Sequence, residues 1–390
     1  MQIHTNLPER FNDKLRASAW YELQAFTSTP LIQRLPDAQS VKLYDNDYLA
    51  MARHPAILQA KIAALQAEQN TIFMSNVFRD MPVFGQVEAE FASFLQADAV
   101  VFCQSGYAAN LGLLQTIALP KQPIYLDYHA HMSLWEGSLS GGGMRIAFRH
   151  NHCDDLQIKI REHGPGIVCI DSIYSGDGSV APLPEMVAIC QANDCVLVVD
   201  ESHALGVYGE RGEGMVAALG LQKQVHFRTA SLSKAFVTRA GLIAATVDFK
   251  DYFRHASYPA IFSSSLLPYE ASSLLAALQV IQQAQDRRSR LQENVRYFRR
   301  GLAQIGYPAA GSEQIIALFA GAGERVFRLR NALEAENIIG APFVPPATNK
   351  NGCVMRLSLN STLQQAQLAH VVEVCQRLLQ EGVLPVAPEH

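Results

Sequence analysis

VLVVDESHALG (196–206) decides the fold class. Its first four residues are apolar without interruption, three of them valine, and the run closes on Asp200. Unbroken rather than alternating hydrophobicity marks a strand buried on both faces, as in a parallel sheet covered by helices. AVVFC (99–103), IYLDY (124–128), IVCIDS (167–172) and VHFRTAS (225–231) repeat the pattern. Stretches with helical spacing, such as VEAEFASFLQ (87–96) and LPEMVAICQAND (183–194), separate them. The expected class is α/β, with a large, mainly parallel sheet domain. After Pro268 the period lengthens, and residues 269–306 read as one long helical stretch joining two lobes. Strand IIALFAG, helix ERVFRLRNALEAEN, strand VMRLSLN and helix QQAQLAHVVEVCQRLLQ then form a smaller α/β domain. The expected division is an N-terminal arm (1–50) packing with the small domain, a large domain (51–285) and a small C-terminal domain (286–390).

Composition narrows the function classes. With 49% hydrophobic residues among 390, the chain can bury enough surface to offset the entropy of ordering it, which excludes disorder. Lys plus Arg number 32 against 36 Asp plus Glu, with no basic block, which argues against an electrostatic grip on nucleic acid or anionic membrane. No apolar run approaches the roughly 18 residues of a membrane span, and the N-terminus lacks the apolar core of a signal peptide. Seven cysteines, odd in number and without a CxxC pair, suit reduced thiols in the cytoplasm. Charged residues make up 17%, against about 25% in average globular proteins, which points to surface hidden in an oligomer.

Ligands of an open parallel sheet bind beyond the carboxyl ends of its strands, and four such ends carry polar residues. Ser105-Gly106-Tyr107, just before a helix, reads either as an ordinary capped turn or as one whose backbone N–H groups approach an anion. Asp200 either caps the next loop or pairs, half-buried, with a protonated ring nitrogen. Lys234, in SLSKAF (231–236), either snorkels outward or is a desolvated amine suited to Schiff-base chemistry. His131 presents a flat, titratable ring toward the crevice. A metal site built on His129, His131, His150 and His152 is not expected, because alternate residues of an extended segment face opposite ways and no carboxylate spacing supports them. Together the four ends meet the requirements of pyridoxal 5′-phosphate (PLP), whose protonated ring acts as an electron sink. The glycines at 206, 209, 212 and 214 follow no strand-to-helix turn, so they read as a mobile loop and not as a dinucleotide fingerprint.

In order along the chain, NDYL (46–49), SGYAAN (105–110), His131 with Ser133, His150-Asn151, YSGDGSVAPL (174–183), DESHALG (200–206), SLSKAF (231–236), FSSSLLP (262–268) and RLSL (356–359) resemble the fold-type I, PLP-dependent α-oxoamine synthases. That family includes 8-amino-7-oxononanoate synthase, 2-amino-3-ketobutyrate CoA ligase, 5-aminolevulinate synthase and serine palmitoyltransferase. The resemblance implies an aspartate-aminotransferase-like fold and an active site at a homodimer interface. It implies that Lys234 forms the internal aldimine and moves the Cα proton, that Asp200 pairs with the pyridinium, and that His203 hydrogen-bonds the phenolic oxygen. His131 would stack on the ring. Ser105, Gly106, Tyr107 and Ser231 would hold the phosphate, with Ser175 near the ring oxygen. Ser264 or Ser265 would reach the neighbouring subunit's phosphate. Asn46 and Arg356 would bind the amino-acid carboxylate, Arg356 by a bidentate pair.

FMSNVF (73–78), YLDYHAHMSLWEG (125–137), HGPGIVCIDSIYS (163–175) and YPAIFSSSLLPYE (258–270) are more particular, and resemble the quorum-sensing autoinducer synthases of the Cqs type. That resemblance implies condensation of an amino acid, S-adenosylmethionine or a 2-aminobutyrate-like molecule, with a medium-chain acyl-CoA. Decarboxylation would then leave a long-chain α-aminoketone, precursor of an amino- or hydroxyketone signal. Family members that use glycine carry a Gly-rich stretch where this chain has TIFMSNVFRDMPVFG (71–85). Phe73, Met74 and Phe78 there, like Trp135, either shape a more apolar substrate contour or are local core. Alternatives are another α-oxoamine synthase, a fold-type I aminotransferase, or a non-catalytic partner subunit; retention of Lys234, Asp200, His203 and His131 together argues against the last.

Overall fold

The structure is a computed structural model that describes residues 9–18, 22–28, 30–67, 74–75, 77–78, 82–309 and 313–386. The chain folds as two compact units, one of residues 46–292 with 360–362, the other of 1–45, 293–359 and 363–390. In chain order the strands are β1 (Val41–Lys42), β2 (Ala99–Cys103), β3 (Pro123–Asp127), β4 (Met144–Phe148), β5 (Ile167–Asp171) and β6 (Val196–Asp200). They continue as β7 (Phe227–Ser231), β8 (Gly241–Ala245), β9 (Ile315–Gly321), β10 (Ile338–Ile339), β11 (Ala341–Phe343) and β12 (Cys353–Ser358).

The larger unit carries a seven-stranded sheet of order β2-β8-β7-β6-β5-β3-β4. All its neighbours pair parallel except β8, which runs antiparallel to both β2 and β7. Alternate residues of the central strands enter separate cores. Val168, Ile170, Leu197 and Val199 pack with Leu156 and Met186, whereas Cys169 and Val198 pack with Leu113, Leu134 and Phe253. Each fully buried side chain of this kind contributes about 1.5–3 kcal/mol, which is why the central strands tolerate almost no polar residue until their last position. That last position is Asp171 on β5 and Asp200 on β6, paired in register.

In the smaller unit, β9, β12 and β11 form an antiparallel sheet of order β11-β12-β9, and β1 pairs parallel with β10. Among the described residues no helix is long and apolar enough to cross a membrane. All seven cysteines are free thiols.

The structure departs from the sequence reading at three points. The stretch 269–306 is two helices, Pro268–Gln282 and Gln285–Gln304. The first ends because Arg288 turns back and donates from Nη1 to the Ile281 carbonyl at 2.6 Å, satisfying an end that a further turn would have satisfied. Strands β4 and β8, named by no sequence run, join the sheet: β4 (MRIAF) is an edge strand with Met144 and Arg145 exposed, and β8 (GLIAA) is a buried apolar run with few β-branched residues. The glycine run is a tied knot instead of a mobile loop. Gly206, Gly209, Gly212 and Gly214 all have φ between 88° and 100°, Gly206 N–H donates to Gly212 O at 2.7 Å, and Gly214 N–H to Tyr208 O at 2.8 Å. A Cβ on Gly214 would lie 2.6 Å from the Glu201 carboxylate. Glu201 is itself buried, accepting from Arg228 Nε and from the Val216 N–H, both at 2.8 Å. Arg228 also donates to Leu95 O and Glu213 O.

Candidate active site

The carboxyl ends of β3, β5, β6 and β7, with the start of the helix Gly106–Ile117, surround one cavity of roughly 170 Å³. Ser105, Gly106, Tyr107, His131, Asp200, His203, Ser231 and Lys234, all singled out from the sequence, line it together. Asp171, Ser133 and Ser202 line it as well, and the sequence reading gives no role to Asp171 or Ser202.

The close approach of the turn at Ser105-Gly106 to the end of β7 exists because of one missing side chain. Ser105 caps the helix Gly106–Ile117, its hydroxyl accepting from the Ala108 N–H at 3.1 Å. A Cβ on Gly106 would come within 2.6 Å of Ser231 Cβ, so only glycine lets the helix start approach the end of β7. The first-turn N–H groups and the positive end of the helix dipole thus sit beside the Ser231 hydroxyl, which bonds Ser233 Oγ at 2.8 Å.

Asp200 is 4% exposed and well supplied with donors. Ser202 N–H donates to Oδ1 at 2.8 Å, and Asn110 Nδ2 donates to Oδ2 at 2.7 Å. Asn110 also donates to Ser133 Oγ at 2.9 Å and accepts from Thr229 Oγ1 at 2.6 Å. Ser133 Oγ lies 2.7 Å from His131 Nδ1, which also accepts from the Ser133 N–H. One buried amide thus fixes both the carboxylate and the imidazole. Burial lowers the His131 pKa, with the charge of Lys234 adding to it and that of Asp200 opposing it, so the ring is neutral with its proton on Nε2. The sequence displays Asn110 within SGYAAN, but its role depends on a contact with β6 that spacing does not reveal.

His203 Nδ1 lies 2.6 Å from the Tyr48 hydroxyl, which donates to Asn46 Oδ1 at 3.0 Å. Asn46 therefore enters the same unit as the cavity through a tyrosine not singled out from the sequence. Ser175, Ser264, Ser265, Asn46 and Arg356 are not among the residues that line the cavity. Ser264 is exposed; Ser265 donates from its N–H to Met74 O at 2.9 Å. Arg356 lies buried on β12 of the other unit, its guanidinium 4.5 Å above the Phe343 ring. Phe73 falls outside the described residues, whereas Phe78 is exposed.

His129 and His150, set apart by sequence spacing, in fact stack with ring centroids 4.0 Å apart at 19°. With Asp177 they place candidate ligand atoms within 4.8 Å of one another. Parallel rings hold their lone pairs side by side instead of converging on one centre. His150 is also already engaged on both nitrogens, with Asp127 Oδ1 at 2.8 Å and Ser179 Oγ at 2.9 Å. The cluster is a hydrogen-bonded latch in which His150, after β4, ties the end of β3 to the loop after β5.

The donor set fits one kind of ligand. A helix start rich in free N–H groups, a lysine amine, a buried carboxylate and a neutral flat ring, converging on a strand-end cavity, are what PLP asks for; when bound it supplies an electron sink. The class these features define is the fold-type I PLP-dependent transferases, and PLP is the cofactor. The chain belongs to the aminotransferase class I and II family, whose model matches residues 38–374. It is similar to a CAI-1 autoinducer synthase from Vibrio campbellii, 39% identical over 347 residues, which cover 89% of this chain and 88% of that protein. A putative 8-amino-7-oxononanoate synthase from Halalkalibacterium halodurans is 28% identical, covering 89% of each chain. Among solved structures, a lysine-to-alanine variant of serine palmitoyltransferase from S. paucimobilis with a bound PLP–myriocin aldimine superposes with a TM-score of 0.88 at 25% identity. The match covers 97% of this chain and 99% of that one. The activity is of the PLP-dependent α-oxoamine synthase type.

Proposed function

We propose that the enzyme joins an amino acid, S-adenosylmethionine or a 2-aminobutyrate-like donor, to a medium-chain acyl-CoA. A carbon–carbon bond forms between the amino-acid Cα and the acyl carbonyl carbon, the thioester C–S bond breaks, and CoA leaves as the thiol. Loss of the carboxylate as CO₂ leaves a long-chain α-aminoketone, precursor of a quorum-sensing signal. The observation that carries this reading is the 39% identity to the Vibrio campbellii autoinducer synthase along nearly the whole chain.

In this reading Lys234 holds the cofactor through its Nζ and then moves the Cα proton, close enough to act as acid and base in turn. Asp200 keeps a proton on the ring nitrogen, so that negative charge can flow toward it. His131 stacks on the ring and His203 bonds its phenolic oxygen, near Ser175. The N–H groups of Gly106 and Tyr107 hold the phosphate with the Ser105 and Ser231 hydroxyls. Ser264 or Ser265 reaches the phosphate site of a second copy, and Asn46 and Arg356 receive the substrate carboxylate. The enzyme works in the cytoplasm as a homodimer. Support for the dimer comes from exposed Phe78, Tyr107, Tyr258 and Phe262 and from the low charged fraction.

The test is thiol release on mixing the holoenzyme with a panel of acyl-CoAs and either amino donor, with products weighed by mass spectrometry. Expected are free CoA and an aminoketone of matching acyl length. A keto acid formed without loss of CoA would make the protein an aminotransferase and refute the reading. Lys234→Ala should lose both turnover and the visible absorption of lysine-bound cofactor.

A further inference from the structure

Two carboxyl groups line the cofactor cavity, and the reaction above uses only Asp200. The second, Asp171, closes β5 as Asp200 closes β6, and the two are register partners on adjacent parallel strands. Register partners project from the same sheet face, here the face on which Cys169 and Val198 pack. Both are buried, Asp171 to 2% exposure.

Their hydrogen bonding differs. Asp200 takes one donor on each oxygen, at 2.8 and 2.7 Å. Asp171 accepts one longer bond, at 3.3 Å, from the backbone N–H of His131. Two buried carboxyl groups on adjacent strands repel when both are ionised, which favours the pair retaining one proton, and that proton resides on the member with fewer donors. We propose that Asp171 acts as an uncharged carboxylic acid, a positioning residue that holds the His131 turn and leaves Asp200 as the single negative charge of the cofactor cavity.

The surroundings agree. Burial, then the charge of Asp200, push the Asp171 carboxyl well above the ordinary range, and Asp127 adds to this. The His131 N–H and the Lys234 ammonium pull the other way and are outweighed. His203 is the remaining titratable group facing the cavity from the β6 side. A neutral acid at this position keeps the charge of Lys234 matched to one carboxylate, and the His131 N–H keeps its acceptor.

The inference rests on the cofactor site and not on the choice of substrates, so its test contains none. Apo-protein carrying Asp171→Asn or Asp171→Ala is titrated with PLP, and the visible absorption of bound cofactor is then followed against pH. Asp171→Asn, uncharged with an acceptor oxygen, should bind PLP within about threefold of the unmodified protein and titrate at the same pH. Asp171→Ala, which strands the His131 N–H, should bind at least about tenfold more weakly, and Asn but not Ala should rescue. A downward shift of about one pH unit or more in Asp171→Asn would mean that a charge had been removed, and would overturn the proposal. Unchanged PLP affinity in Asp171→Ala would overturn the positioning role. If the alanine variant does not fold, the asparagine titration alone still decides the charge.

Discussion

Asn110→Ala is the sharpest perturbation of the site that leaves every cavity-lining side chain in place. Asn110 is 1% exposed and makes three short hydrogen bonds, to Asp200, Ser133 and Thr229. The bond to the Asp200 carboxylate is worth about 1.5–3 kcal/mol, and each neutral bond about 0.5–1.5 kcal/mol. Alanine removes all three and strands a buried threonine hydroxyl and a carboxylate oxygen. Water entering the vacated space recovers part of the loss, so the expected net cost is about 3 kcal/mol, a large share of the ~5–15 kcal/mol that holds a typical domain folded. Urea denaturation of the apo-protein reads this as a lower midpoint at unchanged slope. PLP affinity should fall in parallel, since Asp200 and the Ser133–His131 pair lose their common anchor. Asn110→Asp, which sets a second carboxylate beside Asp200, should be worse than alanine. Loss of less than about 1 kcal/mol together with unaltered PLP affinity would refute the view that this amide organises the site.

Three further outcomes are expected. Gly106→Ala drives a Cβ into the backbone and side chain of Ser231, so PLP should bind at least about tenfold more weakly while far-ultraviolet circular dichroism stays native. Glu201→Gln keeps an acceptor for the Val216 N–H but leaves the buried Arg228 guanidinium without its counter-charge, which should cost about 3–5 kcal/mol in a denaturant melt. The His129–Asp177 pair should show a stability window. Burial works against the charge of each, yet Asp177 and Asp127 hold His129 above its ordinary value, while His129 and the Ser179 hydroxyl and N–H hold Asp177 below its own. The histidine's contribution is complete below about pH 6.5 and is lost as pH rises through its folded value; the aspartate's is complete above about pH 4 and is lost as pH falls through its folded value. The melting-temperature difference between the unmodified protein and Asp177→Asn should therefore be largest between those limits and shrink on either side. It should be small, because both groups are partly exposed, and a difference independent of pH would contradict the pairing.

What the sequence disclosed and what it hid follow one physical divide. Strands β2, β3, β5 and β6 were legible because burial on both faces requires apolar runs; β7 was legible within VHFRTAS although buried Arg228 and Thr229 interrupt it. Strand β4 was not, since it lies at the sheet edge with Met144 and Arg145 exposed. Nor was β8, GLIAA, whose glycine and alanines carry little strand preference although all five residues are buried. Most of the cavity's lining was visible because strand ends are where a parallel sheet presents its polar residues. Hidden were the groups whose meaning is a partner on another element: Asn110 beside Asp200, Tyr48 beside His203, Arg228 beside Glu201. The His129–His150 stack escaped for the same reason; it depends on the turn at Asn151, which sits at φ 54° with its N–H on Asp127.

The bonds from Ser265 N–H to Met74 O and from Ser75 Oγ to Ala260 O, on the short helix Tyr258–Ile261, join two segments remote in sequence into a single strip beside exposed Phe78 and Phe262. For laboratory evolution of this enzyme, that strip is one inheritable unit. A library randomising residues 74, 75, 77 and 78 alone would leave the partner segment unchanged. Substitutions in direct contact are non-additive, so useful pairs would be discarded as failed singles. Varying 74, 75, 77 and 78 together with 258–262 would expose combinations that neither segment reaches by itself, while Ser264, Ser265 and the polar residues at the strand ends stay unchanged.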